Sequence, residues 1–168
     1  IHIGIYGRCN SGKSSLINAI TGQQTAVVSE VAGTTTDTVN KSMELPGVGA
    51  VTFIDTAGFD DTGELGAKRL EQTRKAADRT DVAVIVHAGG EPGAEREWIG
   101  LFGERNIPVV LVLNKADLLN DEAAAVSALR AETGINPIAV SALTGKGIGE
   151  LIAAIAEAGR GATDEVSI

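Results

Sequence analysis

Gly7-Arg8-Cys9-Asn10-Ser11-Gly12-Lys13-Ser14 sets two glycines, a lysine and a hydroxyl at the spacing G-x-x-x-x-G-K-[ST]. That spacing suits one task, the grip of a polyphosphate. Glycines let the backbone turn tightly, so that successive N–H groups face an anion. A helix opening here adds partial positive charge at its N-terminus. Asn10, Ser11 and Gly12 then line the phosphates and Lys13 reaches the β- and γ-phosphates. Ser14 offers its hydroxyl to Mg²⁺, and Ser15 is placed to help hold the α-phosphate. The plainer alternative is a glycine-rich turn capping an ordinary helix. The strand-like run Ile1–Tyr6 before the motif, and Leu16, Ile17 and Ile20 after it, argue for the phosphate site.

Two segments supply what a phosphate site needs to sense its γ-phosphate. Asp55-Thr56-Ala57-Gly58 ends an apolar strand with D-x-x-G, at the kind of strand end where α/β proteins bind ligands. Asp55 would hold Mg²⁺ through a water, and the Gly58 N–H would meet the γ-phosphate. An Asp-Gly turn is the bland account of the same residues. Gly33-Thr34-Thr35-Thr36-Asp37 lies between the first helix and an edge strand, where a threonine can close over Mg²⁺. Three adjacent threonines leave that register open by one residue, and a β-prone polar loop is the alternative.

Asn114-Lys115-Ala116-Asp117 follows another apolar strand as N-K-x-D. Asp117 can accept two hydrogen bonds, from guanine N1–H and its exocyclic amine. Adenine offers neither in that arrangement. Each charged hydrogen bond lost in a closed pocket costs roughly 1.5–3 kcal/mol, enough to select GTP over ATP. Lys115 can cover the base with its aliphatic stem, and Asn114 can tie this loop to the phosphate loop. Ser141-Ala142-Leu143 follows the last strand, where the Ala142 N–H can contact guanine O6. N-K-x-D alone is more often a surface turn; its place after the other two motifs gives it meaning.

These motifs need a sheet to carry them. Ile1–Tyr6, Val51–Asp55, Val82–His87, Val109–Asn114 and Ile138–Val140 read as strands, the first four apolar almost throughout, as parallel strands covered on both faces are. Thr38–Leu45 is mixed and reads as an antiparallel edge strand. Helical patterns fill the gaps at Lys13–Thr21, Ala67–Arg79, Glu95–Arg105, Glu122–Thr133 and Ile148–Ala158. The alternation predicts an α/β fold, a three-layer P-loop nucleotide-hydrolase domain with a mostly parallel six-stranded sheet and one antiparallel edge strand. Residues 1–158 make that domain, and 159–168 read as a frayed linker toward absent domains. The opening on a strand-like run without Met fits an excised domain.

The chain has 168 residues, enough for one core, and a net charge of -8. Such an acidic surface disfavours unaided nucleic-acid or membrane-surface binding, and 3% aromatic residues leave no stacking platform for bases. No apolar run reaches the roughly 18 residues of a membrane-spanning helix. One cysteine, Cys9, excludes an intrachain disulfide and, with no export signal, fits a reducing cytoplasm. His2, His87 and Trp98 read as edge or packing residues.

In order, spacing and strand placement the motifs resemble the translation-factor-like GTPases of the Era/TrmE type. Within that group, IHIGIYGRCNSGKSSL (Ile1–Leu16), VSEVAGTTTDTVNKSMEL (Val28–Leu45) and FIDTAGFDDTGELGAKR (Phe53–Arg69) look like the GTPase domain of the HydF family, the FeFe-hydrogenase maturation scaffolds. The resemblance covers essentially the whole chain. It implies binding of GTP and GDP, no iron–sulfur cluster in this chain, and two radical-SAM maturases and the apo-hydrogenase as partners. It implies homodimer formation through the switches as well. Alignment with similar enzymes selects Thr35 as the Mg²⁺ threonine beside Ser14 and Asp55. Lys13, Thr35 and Gly58 then form the catalytic set. Ras-type enzymes carry a glutamine after D-x-x-G; here Phe59 stands there and cannot polarise water, so intrinsic turnover should be slow. Asp60, Asp61 and Glu64 are the nearby carboxylates that can position water, against the plainer reading of a solvated acidic loop. TrmE-type enzymes that bind K⁺ carry an Asn at the place of Asn10. Carbonyls corresponding to Ser29 and Val31 complete their ion site, and K⁺ there stabilises charge building on the phosphates.

Overall fold

The structure is a computed structural model that describes residues 1–7, 12–23, 40–45, 49–55, 75, 78–88, 93–115 and 120–166. Six strands form one sheet: β1 (His2–Gly7), β2 (Asn40–Leu45), β3 (Gly49–Asp55), β4 (Val82–His87), β5 (Val109–Leu113) and β6 (Ile138–Ala139). Their order is β2-β3-β1-β4-β5-β6. β2 runs antiparallel to β3, and every other pairing is parallel. The expected mostly parallel sheet with an antiparallel edge strand is therefore what the chain forms.

Four helices are described: α1 (Lys13–Gln23), α2 (Gly93–Glu104), α3 (Glu122–Thr133) and α4 (Ile148–Val166). Strand alternation divides the core in two. Val82, Val84 and Val86 of β4 share one cluster with Leu16, Ile17 and Ile20 of α1 and Ile148, Leu151 and Ile155 of α4. Ala83 and Ile85 point the other way, joining Trp98, Leu101 and Phe102 of α2 and Leu129 of α3. Side chains on a strand alternate faces, so a strand apolar at every position must be covered twice. Helices α1 and α4 cover one face and α2 and α3 the other, which makes three layers.

Local signals explain where elements stop. Asp121 caps α3, its carboxylate accepting from the Ala124 N–H at 3.1 Å, and Gly134 ends the helix at φ +79°. Strand β5 stops at Leu113, one residue before its expected end, because Lys115 turns into left-handed backbone at φ +61°. Helix α4 departs most from expectation. It continues beyond Ala158 to Val166, through residues expected as linker. Gly159 is buried in it, and no proline interrupts the segment. An interior glycine costs only about 1 kcal/mol relative to alanine, which tertiary contact can offset. The helix expected at Ala67–Arg79 lies outside the described residues, apart from the helical Lys75 and a turn at Asp78–Arg79 that leads into β4.

Candidate functional site

Register brings the motifs to one edge of the sheet. Strand β1 ends at Gly7, and α1 begins at Lys13, with the Leu16 N–H donating to the Gly12 carbonyl at 2.8 Å. Ile5 lies opposite Asp55, so the last residue of β3 sits beside β1 just before the phosphate loop. On the other side Gly7 lies opposite Val86, His87 opposite Leu113, and Leu113 opposite Ala139. The carboxyl ends of β1, β3, β4, β5 and β6 therefore form one rim, the edge at which open α/β sheets bind ligands.

Contacts across that rim are tight. Gly12 adopts φ +89°, and a Cβ there would stand 2.5 Å from Asn114 Nδ2 and 3.7 Å from Lys115 Cε. The second glycine of the phosphate loop thus lies directly under the side chain that opens N-K-x-D, and only glycine leaves room. Asn114 is buried, and its N–H donates to the His87 carbonyl at 2.8 Å. Lys115 is half-buried with its stem toward Gly12, in the left-handed backbone that lets the chain turn off β5.

The Ser141–Gly147 loop is closed by its own backbone. The Ser141 N–H donates to the Lys146 carbonyl at 2.9 Å, and the Gly145 N–H to the Ser141 carbonyl at 2.8 Å. Ser141 is fully buried, and its Oγ accepts from the Thr144 N–H at 3.1 Å. Lys146 pairs with Glu122 at the start of α3, which ties the loop to that helix. Ala142, half-buried, sits at the loop's shoulder, and Leu143 is exposed.

Lys13 and Ser14 open α1, and Asp55 closes β3; these three are placed by their backbone, and Ser15 lies exposed in the first turn of α1. By residue type Ser14 and Asp55 supply a hydroxyl and a carboxylate, hard oxygen donors of the kind Mg²⁺ takes. The donor set fits that ion. Asn10, Ser11, Ser29, Val31, Gly33, Thr34, Thr35, Gly58, Phe59, Asp60, Asp61, Glu64 and Asp117 lie outside the described residues.

Sequence reasoning set His87 aside as an edge or packing residue, but on this rim it forms a buried polar pair. His87, the last residue of β4, holds Glu95 of α2 with Nδ1 2.8 Å from Oε2, and both side chains are buried. A signal was present. Glu95 precedes Trp98 by three residues and Phe102 by seven, so it stands on the apolar stripe of α2, where a carboxylate needs a partner.

A family model described as 50S ribosome-binding GTPase matches residues 2–115. Over 152 residues the chain is 37% identical to the tRNA modification GTPase MnmE of Xanthomonas oryzae pv. oryzae, covering 90% of this chain and 32% of that protein. It is 42% identical over 127 residues to GTPase Der of Wolinella succinogenes, covering 73% of this chain and 27% of that protein. The chain thus spans about a third of the length of the curated relatives it matches. Among solved structures, Aquifex aeolicus Era bound to GDP.AlF4- superposes with a TM-score of 0.70 at 24% identity, over 93% of this chain and 56% of that one. That likeness concerns the fold. Among the described residues no helix is long and apolar enough to cross a membrane.

Proposed function

This chain belongs to the 50S ribosome-binding GTPase family, and we propose that it hydrolyses GTP slowly, with Mg²⁺ and with stimulation by K⁺. The observation that carries the site assignment is the packing of the Asn114 amide over Gly12, which joins a base-reading loop to a phosphate loop. In this reading the amides of Asn10, Ser11 and Gly12 and the Lys13 ammonium neutralise the triphosphate. Ser15 adds a contact to the α-phosphate. Ser14, Asp55 and Thr35 hold Mg²⁺, which when bound spreads the charge of the β- and γ-oxygens. The Gly58 N–H donates to the γ-phosphate, with Gly33 and Thr34 setting the loop that presents Thr35. Asp117 reads guanine, Lys115 covers it, and the Ser141–Ala142 turn faces its O6 edge.

Phe59 supplies no polar group for the attacking water, which is why turnover is slow; Asp60, Asp61 and Glu64 are the carboxylates left to orient it. Asn10, Ser29 and Val31 form the K⁺ site. Hydrolysis measured in K⁺ and Na⁺ at matched ionic strength tests the ion: faster turnover in K⁺ supports it, and equal rates refute it.

For the biological role we propose FeFe-hydrogenase maturation, with radical-SAM maturases and apo-hydrogenase as partners and a homodimer as the working unit. The support is the GTTTD…K-x-MEL and DTAG-x-DD-x-GELG stretches. A second reading, a switch GTPase in RNA modification or another assembly process, is supported by the 37% identity to a tRNA modification GTPase across 90% of this chain. Deleting the gene and measuring hydrogenase activity beside tRNA modification separates the two. Loss of hydrogenase activity alone supports the first reading, and loss of tRNA modification alone supports the second.

A further inference from the structure

The buried His87–Glu95 pair lies on the nucleotide rim, and none of the motifs uses it. At 2.8 Å, His87 Nδ1 and Glu95 Oε2 share a hydrogen bond between two buried side chains. Glu95 stands in the first turn of α2, where the helix N-terminus favours negative charge. The pair therefore clamps the end of β4 to the start of α2. The same His87 gives its main-chain carbonyl to the Asn114 N–H at 2.8 Å. Asn114 in turn lays its amide over Gly12, with Lys115 Cε beside it. One continuous line of contacts thus runs from Glu95 through His87 and Asn114 to the phosphate loop.

We propose that the His87–Glu95 pair is a positioning device for guanine recognition. It fixes the β4 carbonyl from which the N-K-x-D segment starts, and so holds Asn114 in place over Gly12. The proposal rests on the GTPase reading of this site. A strand end is otherwise the least restrained part of a sheet, and a carbonyl that drifts carries the loop with it. A buried hydrogen bond between side chains is a stiffer anchor than apolar packing, because its direction is fixed as well as its distance.

The test is the discrimination between GDP and IDP, which lacks the exocyclic amine read by Asp117. Affinities for both are measured by calorimetry with Mg²⁺ on wild type, His87→Leu, His87→Asn and Glu95→Gln, with melting curves to establish folding. In His87→Leu the GDP affinity should fall roughly tenfold, about 1.4 kcal/mol, with IDP much less affected, so that the GDP/IDP ratio collapses. His87→Asn, whose amide can donate or accept at the place of Nδ1, should recover most of the ratio. Glu95→Gln keeps shape and an acceptor, and should lower the ratio by a smaller factor while remaining folded; it carries the test if His87→Leu does not fold. An unchanged ratio in the folded variants, or parallel losses for both nucleotides, overturns the positioning role. Wild type that fails to prefer GDP over ADP overturns the GTPase reading instead, so the two failures are distinct.

Discussion

Two glycines in the Ser141–Gly147 loop share a backbone conformation but not a surrounding, so paired alanine substitutions separate strain from collision. Gly145 has φ +85° with nothing within 4 Å of where a Cβ would stand. Gly147 has φ +76°, and its Cβ would stand 2.2 Å from the Ala139 carbonyl oxygen and 3.1 Å from Val140 Cγ1. Left-handed backbone costs an L-residue roughly 1–2 kcal/mol, which both variants bear. Only Gly147→Ala adds the collision. The atom it meets is main chain in β6, paired to β5 through Leu113 and Ala139, so it cannot rotate away as a side-chain tip would. Overpacking of this kind adds roughly 1–3 kcal/mol. Gly145→Ala should thus lose about 1–2 kcal/mol and Gly147→Ala about 2–5 kcal/mol. For a chain of this length each kcal/mol lowers the melting temperature by roughly 2–4 °C. Urea unfolding and thermal melting of the nucleotide-free protein read both numbers. An equal loss in the two variants, or a greater loss for Gly145→Ala, would show that β6 does not press on Gly147 and that the loop is not seated as described.

Other outcomes follow from the same structure. Tyr6 is fully buried on β1 with its hydroxyl 2.9 Å from Thr80 Oγ1, and burial pushes its pKa up from 10.0 to about 12. The unfolded chain then ionises first, so Tyr6's contribution is intact below pH 10 and is lost as pH rises through 12. At about 1.36 kcal/mol per pH unit the loss approaches roughly 3 kcal/mol. Urea titrations across that window should show it in wild type and find it missing in Tyr6→Phe. Phe102, fully buried 4.8 Å from the Tyr6 ring, should cost about 3–5 kcal/mol as Phe102→Ala, read by urea unfolding. Lys13→Ala removes the ammonium that we propose meets the phosphates. It should weaken Mg·GTP binding roughly 10- to 150-fold, at 1.5–3 kcal/mol for a charged hydrogen bond, in a nucleotide titration.

The parts of this fold that were plain from sequence are those where local and tertiary demands agree. Strand β4, VAVIVH, is apolar at nearly every position and bounded by charge and glycine, and its span matches the expectation residue for residue. So does α3, which starts after a capping aspartate and stops at a glycine. Helix α4 ran past its expected end because small residues that read as linker are tolerated where the helix packs, as at the buried Gly159. The nearness of the phosphate loop to N-K-x-D was legible as a motif pair, since the two recur in this order. That Gly12 is required by the Asn114 side chain became visible only when β1 and β5 were placed two strands apart. The His87–Glu95 pair was hidden for another reason. The apolar stripe of α2 marks Glu95 as a carboxylate in need of a partner, but nothing in the spacing points to His87, and the fold is what brings the two together.

The central claim is that the rim formed by Gly12, Asn114 and the Ser141 loop holds a guanine nucleotide. Calorimetric titration of the intact protein with GDP and ADP in Mg²⁺ addresses it most directly. The account predicts heat of binding with GDP and an affinity for ADP weaker by at least roughly tenfold, the worth of one charged hydrogen bond at Asp117. Equal affinities for the two, or no binding of GDP, would contradict it.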